Sequence, residues 1–367
     1  MTDTPDAPDT SEAIGFRGFR GFPGRPLLIG TRGSPMALVQ AEHVAALLRR
    51  HAPGLFTRTV PITTSGDTWP GSLAQAGGKG LFVKAVDHRL QHGEVDVAVH
   101  CLKDVPGDQP LPEGLVLAAT PPRADVHDVL LVPEGSPAAS LADLPHAASV
   151  ATSSVRRRAQ LLARRPDLRI LEVRGAVATR LEKLDGLRAG LEADAMVLAR
   201  AGLLRLGLTR RIRYEFPPDE VLPAVGAGVL ALHCRRDDET VLALLRRLDH
   251  PRTHAEATAE RSMLQGLRGH CNSPVAGHCT TEEDGRLTLH GMVFSLDGTR
   301  TAHARLHATA AGAGAELGAR VCAELLRRGA RAIIDEAVPP AAGNRQEDGD
   351  GQEPGDHGTR GTRGTRG

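Results

Sequence analysis

Apolar positions recur along the chain with two different periods. Short, mostly apolar runs at 27–31, 57–62, 95–101, 115–119, 129–132, 149–152, 169–173 and 195–199 read as strands. Between them, 35–51, 81–92, 155–165 and 177–189 repeat their apolar residues at helical spacing. Strands separated by helices of this length predict a parallel or mixed sheet with helices on both faces. There are more strands than one small sheet needs, and 121–125 reads as a crossing between two lobes. The segment 222–234, with Gly226 and Gly228, is expected to return the chain to the first lobe. Beyond about residue 250 the pattern changes. A helix at 253–267 is followed by alternating strands around the hairpin signals Asp284-Gly285 and Asp297-Gly298, and a helix at 316–328 closes the unit. The predicted fold class is α/β: two doubly wound lobes plus a small C-terminal α+β domain. The boundaries expected are 26–123 with 226–246 for the first lobe, 124–225 for the second and 247–338 for the third unit. The flanking 1–25 and 339–367 are set aside as disordered tails.

Composition narrows the class. At 367 residues, 41% hydrophobic and 24% charged, the chain has the make-up of a globular protein with room for about two or three domains. Aromatic content of 2% leaves the cores to Leu, Val, Ala and Ile. A net charge of +1 supplies no global field toward nucleic acid or membrane. The 5 cysteines are an odd number, widely spaced, which argues for reduced thiols rather than a disulfide framework. No apolar run approaches bilayer length, and the acidic N-terminus lacks a signal-peptide core, so a cytoplasmic location is expected. The Arg–Gly repeats at 15–25 and 358–367 read either as solvated extensions or as weak RNA-binding tails. The core lacks the aromatic platforms of a single-strand binder, so no nucleic-acid partner is expected.

The candidate chemistry is mostly arginine. Thr152-Ser153-Ser154 ends a strand and caps a helix whose first turn carries Arg156, Arg157 and Arg158. Cations there oppose the helix dipole, which makes sense if an anion sits at the helix start, although a solvated basic surface is the plain alternative. Arg32-Gly33-Ser34-Pro35 and Arg174-Gly175, with Arg180 further on, repeat the theme at other strand ends. In open α/β sheets ligands bind outside the carboxyl ends of strands, so these loops are expected to converge on one cleft. Guanidinium forks suit carboxylates. Lys103-Asp104 ends the strand 95–101, where a carboxylate can stabilise a developing cation or move a proton, though adjacent Lys and Asp are also common on plain surfaces. Gly77-Gly78-Lys79-Gly80 lacks the spacing of a nucleotide-binding loop, which excludes ATP, and 63–78 reads as a mobile flap. His270-Cys271 and His278-Cys279 raise a zinc hypothesis, but their spacing fits no familiar pattern, and no metal is expected. Cys101, Cys234, Cys279 and Cys322 are read as buried or inert thiols.

Taken in order, IGTRGSPMALVQAEHV (29–44), GGKGLFVKAV (77–86), VAVHCLKDVP (97–106), ATSSVRRRAQL (151–161), RRPDL (164–168), VRGAVATRLEKLD (173–185), AGLLRLGL (201–208), LPAVGAG (222–228) and GHCNSPVAG (269–277) resemble the porphobilinogen deaminase (hydroxymethylbilane synthase) family. The resemblance spans 26–338. It implies two lobes like those of two-lobed anion-binding proteins, with the active site between them. It also implies head-to-tail condensation of four porphobilinogen molecules with loss of ammonia, and release of hydroxymethylbilane by water. A dipyrromethane primer, one per chain, would be held by a thioether to Cys271. Asp104 would be the catalytic carboxylate. Lys103, Thr152, Ser153, Ser154, Arg156, Arg157, Arg174 and Gly175 would hold the primer. Arg32, Ser34, Gln40, Lys79, Arg180 and Arg205 would meet the substrate, with Phe82 stacked on a pyrrole. A monomer is implied. The chain departs from the family pattern at Gln75, Ala176, Ala227 and His270. The rival from another class is a non-catalytic two-lobed carboxylate-binding protein, which needs neither Asp104 nor Cys271.

Overall fold

The computed structural model describes residues 25–69, 80–269, 273–309 and 311–337. The expected tails apart from Arg25, the loop residues Gln75 and Lys79, and the His270 and Cys271 pair lie outside the described residues. The chain opens with β1 (Leu27–Arg32), α1 (Pro35–His51), β2 (Thr57–Ile62), a short α2 (Ser65–Thr68), α3 (Lys84–Gln91), β3 (Val97–Cys101) and β4 (Leu115–Ala119). It then crosses to β5 (Asp128–Leu131), β6 (Ser149–Ala151), α4 (Val155–Arg164), β7 (Arg169–Leu171), α5 (Val177–Leu184), β8 (Ala195–Ala199), α6 (Arg200–Arg205) and β9 (Tyr214–Phe216). The return is made by β10 (Leu230–Arg235) and α7 (Glu239–Leu245). The last unit is α8 (Pro251–Gly266), β11 (Val275–Thr281), β12 (Leu287–Phe294), β13 (Thr301–Ala308), α9 (Gly314–Arg327) and α10 (Ala330–Ala337).

The two lobes have the same sheet plan. In the first the order is β2-β1-β3-β10-β4, and in the second β7-β6-β8-β5-β9. Each has a parallel trio with an antiparallel strand inserted beside it, β10 in one and β5 in the other. Both inserted strands are the ones that arrive from the opposite lobe. The third unit is an antiparallel meander, β11-β12-β13, covered by α8 and α9.

Helices cover both faces of each lobe's sheet because their apolar residues fall on one side. On α1, Ala37, Ala41, Val44, Ala45 and Leu48 are buried at spacings of three and four. They share a core with Val241, Leu244 and Leu245 of α7, while Val86 and Leu90 of α3 pack on the other face. In the second lobe Leu161 of α4 lies on one face, and Leu181 and Leu184 of α5 on the other. Burying each such leucine contributes about 1.5–3 kcal/mol.

Several expectations shift in detail. The helix expected over 177–189 stops at Leu184: Gly186 turns to φ +73°, and the Asp185 carboxylate is drawn to the Arg211 Nη1 at 2.8 Å. The helix expected at 253–267 begins at Pro251, capped by His250, whose ring nitrogen accepts from the Thr253 amide at 3.3 Å. Part of the expected mobile flap is helical: in α2 the Asp67 carboxylate accepts from both the amide and the hydroxyl of Thr64, at 3.1 and 2.7 Å. Arg25, assigned to the tail, ion-pairs with Asp96 at 2.7 Å. β9, α7 and α10 were not anticipated by the periodicity. Among the described residues no helix is long and apolar enough to cross a membrane.

Candidate active site

A cavity of about 910 Å³ lies between the carboxyl ends of the two sheets. The three arginine-bearing loops converge there: Arg32 and Ser34 after β1, Ser153, Arg156 and Arg157 after β6, and Arg174 and Gly175 after β7. Lys103, Asp104, Arg180, Arg205, Gln40 and Phe82 line it as well. Lys103 and Asp104 stand on one tight turn, Leu102–Asp104, closed by the Val105 amide on the Leu102 carbonyl at 3.1 Å. Gly226 presses on that turn. Its φ is +73°, and a Cβ there would stand 2.9 Å from the Lys103 nitrogen. Only glycine lets the returning strand approach so closely.

Each arginine named on the wall is tied by part of its head group to the protein. Arg156 donates to Asp128 at 2.6 Å and to the Leu222 carbonyl at 2.7 Å; Arg157 donates to Asp128 at 2.7 Å and to the Val197 carbonyl at 3.0 Å. Burial alone would raise the Asp128 carboxyl, but the charges of the two arginines hold it well below the usual carboxylate range. The forks of Arg156 and Arg157 are therefore partly engaged. The Nε atoms of Arg32, Arg156 and Arg157 are buried and have no hydrogen-bond partner among the described residues. The wall these arginines share is cationic, which suits an anionic occupant.

Arg32 pairs with Asp67 and lies over the Phe82 ring, 3.9 Å from its centroid. Gly66 packs on the same ring so tightly that a Cβ would come within 2.1 Å of it. Phe82 lines the cavity, as expected of a residue near the substrate, and one face of its ring supports the Arg32 guanidinium. From the second lobe Arg174 reaches the Trp69 carbonyl at 2.9 Å, and the Arg180 Nε donates to the Gly175 carbonyl at 2.8 Å. Burial, with Arg157 and Arg174 nearby, lowers Arg180 to about 10, which leaves it protonated at neutral pH. Burial likewise lowers Arg205.

The hydroxyls are placed differently from expectation. Ser154 accepts from the Arg157 amide at 3.4 Å and Thr152 from the Ser154 amide at 3.2 Å; neither is among the cavity-lining residues. Ser153 lines the cavity but donates its proton to the Val173 carbonyl at 2.6 Å. Ser34 caps α1 through the Ala37 amide at 3.3 Å. A strand–helix junction leaves several amides unpaired, and these hydroxyls take some of them. Gln40 lies 3.1 Å from the Cys101 sulfur, and burial together with the Asp104 charge raises that thiol.

Sequence reasoning missed the acidic partners, Asp67 and Asp128. It also missed a buried cluster behind the Lys103–Asp104 turn. Asp87 accepts from His100 at 2.9 Å and from His233 at 3.1 Å, joining α3, β3 and β10. Burial would raise Asp87, yet these two hydrogen bonds keep it below its ordinary range. The Thr64–Asp67 spacing was a readable helix-start signal; Asp128 and Asp87 are separated from their partners by too much chain to leave one.

Comparison with known proteins agrees with this geometry. Residues 27–243 match the family model described as "Porphobilinogen deaminase, dipyromethane cofactor binding domain", and 254–327 match "Porphobilinogen deaminase, C-terminal domain". The chain is 48% identical over 307 residues to porphobilinogen deaminase 2 of Streptomyces coelicolor, covering 84% of this chain and 96% of that protein. It is 45% identical over 309 residues to porphobilinogen deaminase of Syntrophotalea carbinolica, covering 84% and 95%. A periplasmic substrate-binding protein of an ABC transporter from Coxiella burnetii is a looser structural likeness, with a TM-score of 0.38 and 15% identity over 64% of this chain and 96% of that one.

Proposed function

The chain belongs to the porphobilinogen deaminase family, and on that premise we propose that it joins four porphobilinogen molecules head to tail, releases ammonia, and frees hydroxymethylbilane by hydrolysis. Family membership makes it an enzyme of the transferase kind. The observation that carries the reading is the cleft itself: arginines from both lobes line the same cavity as Asp104. A linear tetrapyrrole adds two carboxylates with every ring, so a site that extends it needs cations in number.

The dipyrromethane group fits a cleft lined by arginines from both lobes, and Arg156 and Arg157 would hold its carboxylates. When bound, it supplies the free pyrrole carbon onto which the chain grows. Cys271, the residue proposed to carry it, lies outside the described residues. Arg32, Arg180 and Arg205 would bind and orient the side-chain carboxylates of the incoming molecule, while Arg174 would help to hold the primer. Each charge-assisted hydrogen bond formed contributes about 1.5–3 kcal/mol. Asp104 would accept from pyrrole N–H groups, stabilise the cation left on the substrate after ammonia departs, and take the ring proton. Lys103, its neighbour, would keep the local charge balanced. Covalent tethering makes each coupling effectively intramolecular. A monomer working in the cytoplasm is the remaining part of the proposal.

Intact mass tests it. The purified chain should exceed its sequence mass by two porphobilinogen units less their ammonia, and Cys271→Ser should lack that excess. Asp104→Ala should keep the excess while losing nearly all turnover. Active protein with no adduct, or near-normal turnover without Asp104, refutes the assignment.

A further inference from the structure

Behind the Lys103–Asp104 turn one carboxylate oxygen receives two imidazoles. Asp87 on α3 accepts from His100 Nε2 at 2.9 Å and from His233 Nδ1 at 3.1 Å. The two rings stand diagonally on the adjacent strands β3 and β10, with centroids 4.8 Å apart. All three side chains are buried, and Asp87 has no arginine or lysine partner among the described residues. Asp87 is held ionised, and a carboxylate only accepts, so a proton sits on Nε2 of His100 and on Nδ1 of His233. Burial lowers His233, which keeps that ring neutral, and its Nε2 is buried without a partner among the described residues. An ionised carboxylate held in a core by imidazoles alone is costly beside an apolar contact of the same volume. That cost makes sense where direction matters more than attraction.

The three elements joined are those that support the Asp104 turn. His100 is the next-to-last residue of β3, and the Leu102–Asp104 turn begins directly after that strand. β10 pairs with β3 to its last residue, Leu230 facing Cys101, and the Leu102 amide then donates to the Val229 carbonyl at 3.0 Å. The approach to α3 runs past Gly80, where a Cβ would stand 3.2 Å from the Pro106 ring, and past Phe82 on the cavity wall. Val83, Leu102 and Val105 share one apolar cluster. Apolar contacts of this kind permit small slides and rotations, whereas two hydrogen bonds on one oxygen do not. We propose that Asp87 is a positioning residue for the reaction: by directing His100 and His233 together, it holds the end of β3, and with it the Asp104 carboxylate, at a set angle to the cleft. This rests on the reading that Asp104 is the catalytic carboxylate acting on porphobilinogen.

The two imidazoles use different nitrogens, which lets direction be separated from bulk. The amide nitrogen of glutamine falls near an imidazole Nε2, and that of asparagine near Nδ1. In the full-length holoenzyme, His100→Gln and His233→Asn therefore keep the donor to Asp87, whereas His100→Asn and His233→Gln misplace it. The mismatched variants should lose roughly tenfold in kcat with KM for porphobilinogen held within about twofold, and the matched ones should stay within about threefold of wild-type kcat. Circular dichroism and intact mass check the fold and the primer of each variant. Equal losses in matched and mismatched variants, or losses that follow residue type at both sites, overturn the proposal. So do mismatched variants with unaltered kcat or a change confined to KM. Failure of both mismatched variants to fold or to carry the primer marks the cluster as structural and overturns it as well. A wild-type chain that does not consume porphobilinogen, or that keeps its turnover after Asp104→Ala, fells the underlying reading instead.

Discussion

Asp128→Asn isolates the acidic residue that holds the arginine pair. The carboxylate is 2% exposed and accepts from Arg156 and Arg157 at 2.6 and 2.7 Å. The amide keeps the shape and one acceptor but removes the charge, leaving two desolvated guanidiniums without a counter-ion. Breaking a buried pair from one side costs about 3–5 kcal/mol, and the retained acceptor recovers part, so a loss of about 3 kcal/mol is expected. At about 2–4 °C per kcal/mol, the melting temperature at pH 7 should fall by roughly 6–12 °C. The pH dependence gives an independent check. The folded carboxyl titrates below its unfolded value of about 3.9, so the unfolded state takes up the proton first. The contribution of Asp128 is complete above that pH and drains away as acid reaches the folded carboxyl. The gap between wild type and variant, followed by circular dichroism, should therefore be full at pH 7 and narrow toward pH 3. Equal melting temperatures at pH 7, or a gap indifferent to pH, would refute the reasoning.

Three further outcomes follow from local geometry. Gly228→Ala places a Cβ 2.4 Å from the Ala124 carbonyl oxygen at φ +76° and should cost more than about 3 kcal/mol by urea unfolding, whereas Gly54→Ala, also at positive φ but with open space around it, should cost about 1–2 kcal/mol. Burial, aided by the charge of Arg123, lowers His278 to about 4, below its unfolded value of about 6.5; the unfolded state then binds more protons between these values, so stability should rise with pH across that window, and His278→Gln should flatten the rise by roughly 2–3 kcal/mol. Burial raises the Cys234 thiol to about 11 and also raises those of Cys101, Cys279 and Cys322, so peptide mapping after brief iodoacetamide treatment at pH 7.5 should find these four unmodified.

What the sequence made legible was local. β2 and β4 fall on the apolar runs at 57–62 and 115–119, and the arginines at strand ends were readable because each sits beside its own strand and helix signals. β9 is three residues long and carries no period of its own. The cleft's acidic partners escaped for a related reason. Asp128 begins a strand 28 residues before Arg156, and Asp87 meets His233 across 146 residues of chain. The placement of hydroxyls was equally hidden. Thr152 and Ser154 stand at the expected junction, but which amides they take is decided by the turn's backbone, not by residue type.

The acidic partners also explain how so many cations share one wall. Guanidiniums in a partly desolvated cleft repel one another: burial lowers Arg180 first, and the charges of Arg157 and Arg174 add to it. Asp67 and Asp128 offset that repulsion in the two lobes while backbone carbonyls hold the remaining N–H groups, leaving selected donors for a ligand. A buried carboxylate is one of the links between the third unit and this wall. Glu260 on α8 accepts from the Gly226 amide at 2.7 Å and the Cys279 amide at 2.8 Å, and it pairs with Arg123 at 2.7 Å. Gly226 in turn stands against the Lys103 backbone, beside Asp104. The helix that precedes Cys271 in the chain is thus anchored to the same glycine turn that supports the Asp104 turn. Arg261 of the same helix donates to the Val105 and Pro106 carbonyls at 3.3 and 3.0 Å, so α8 holds the Asp104 turn from both ends.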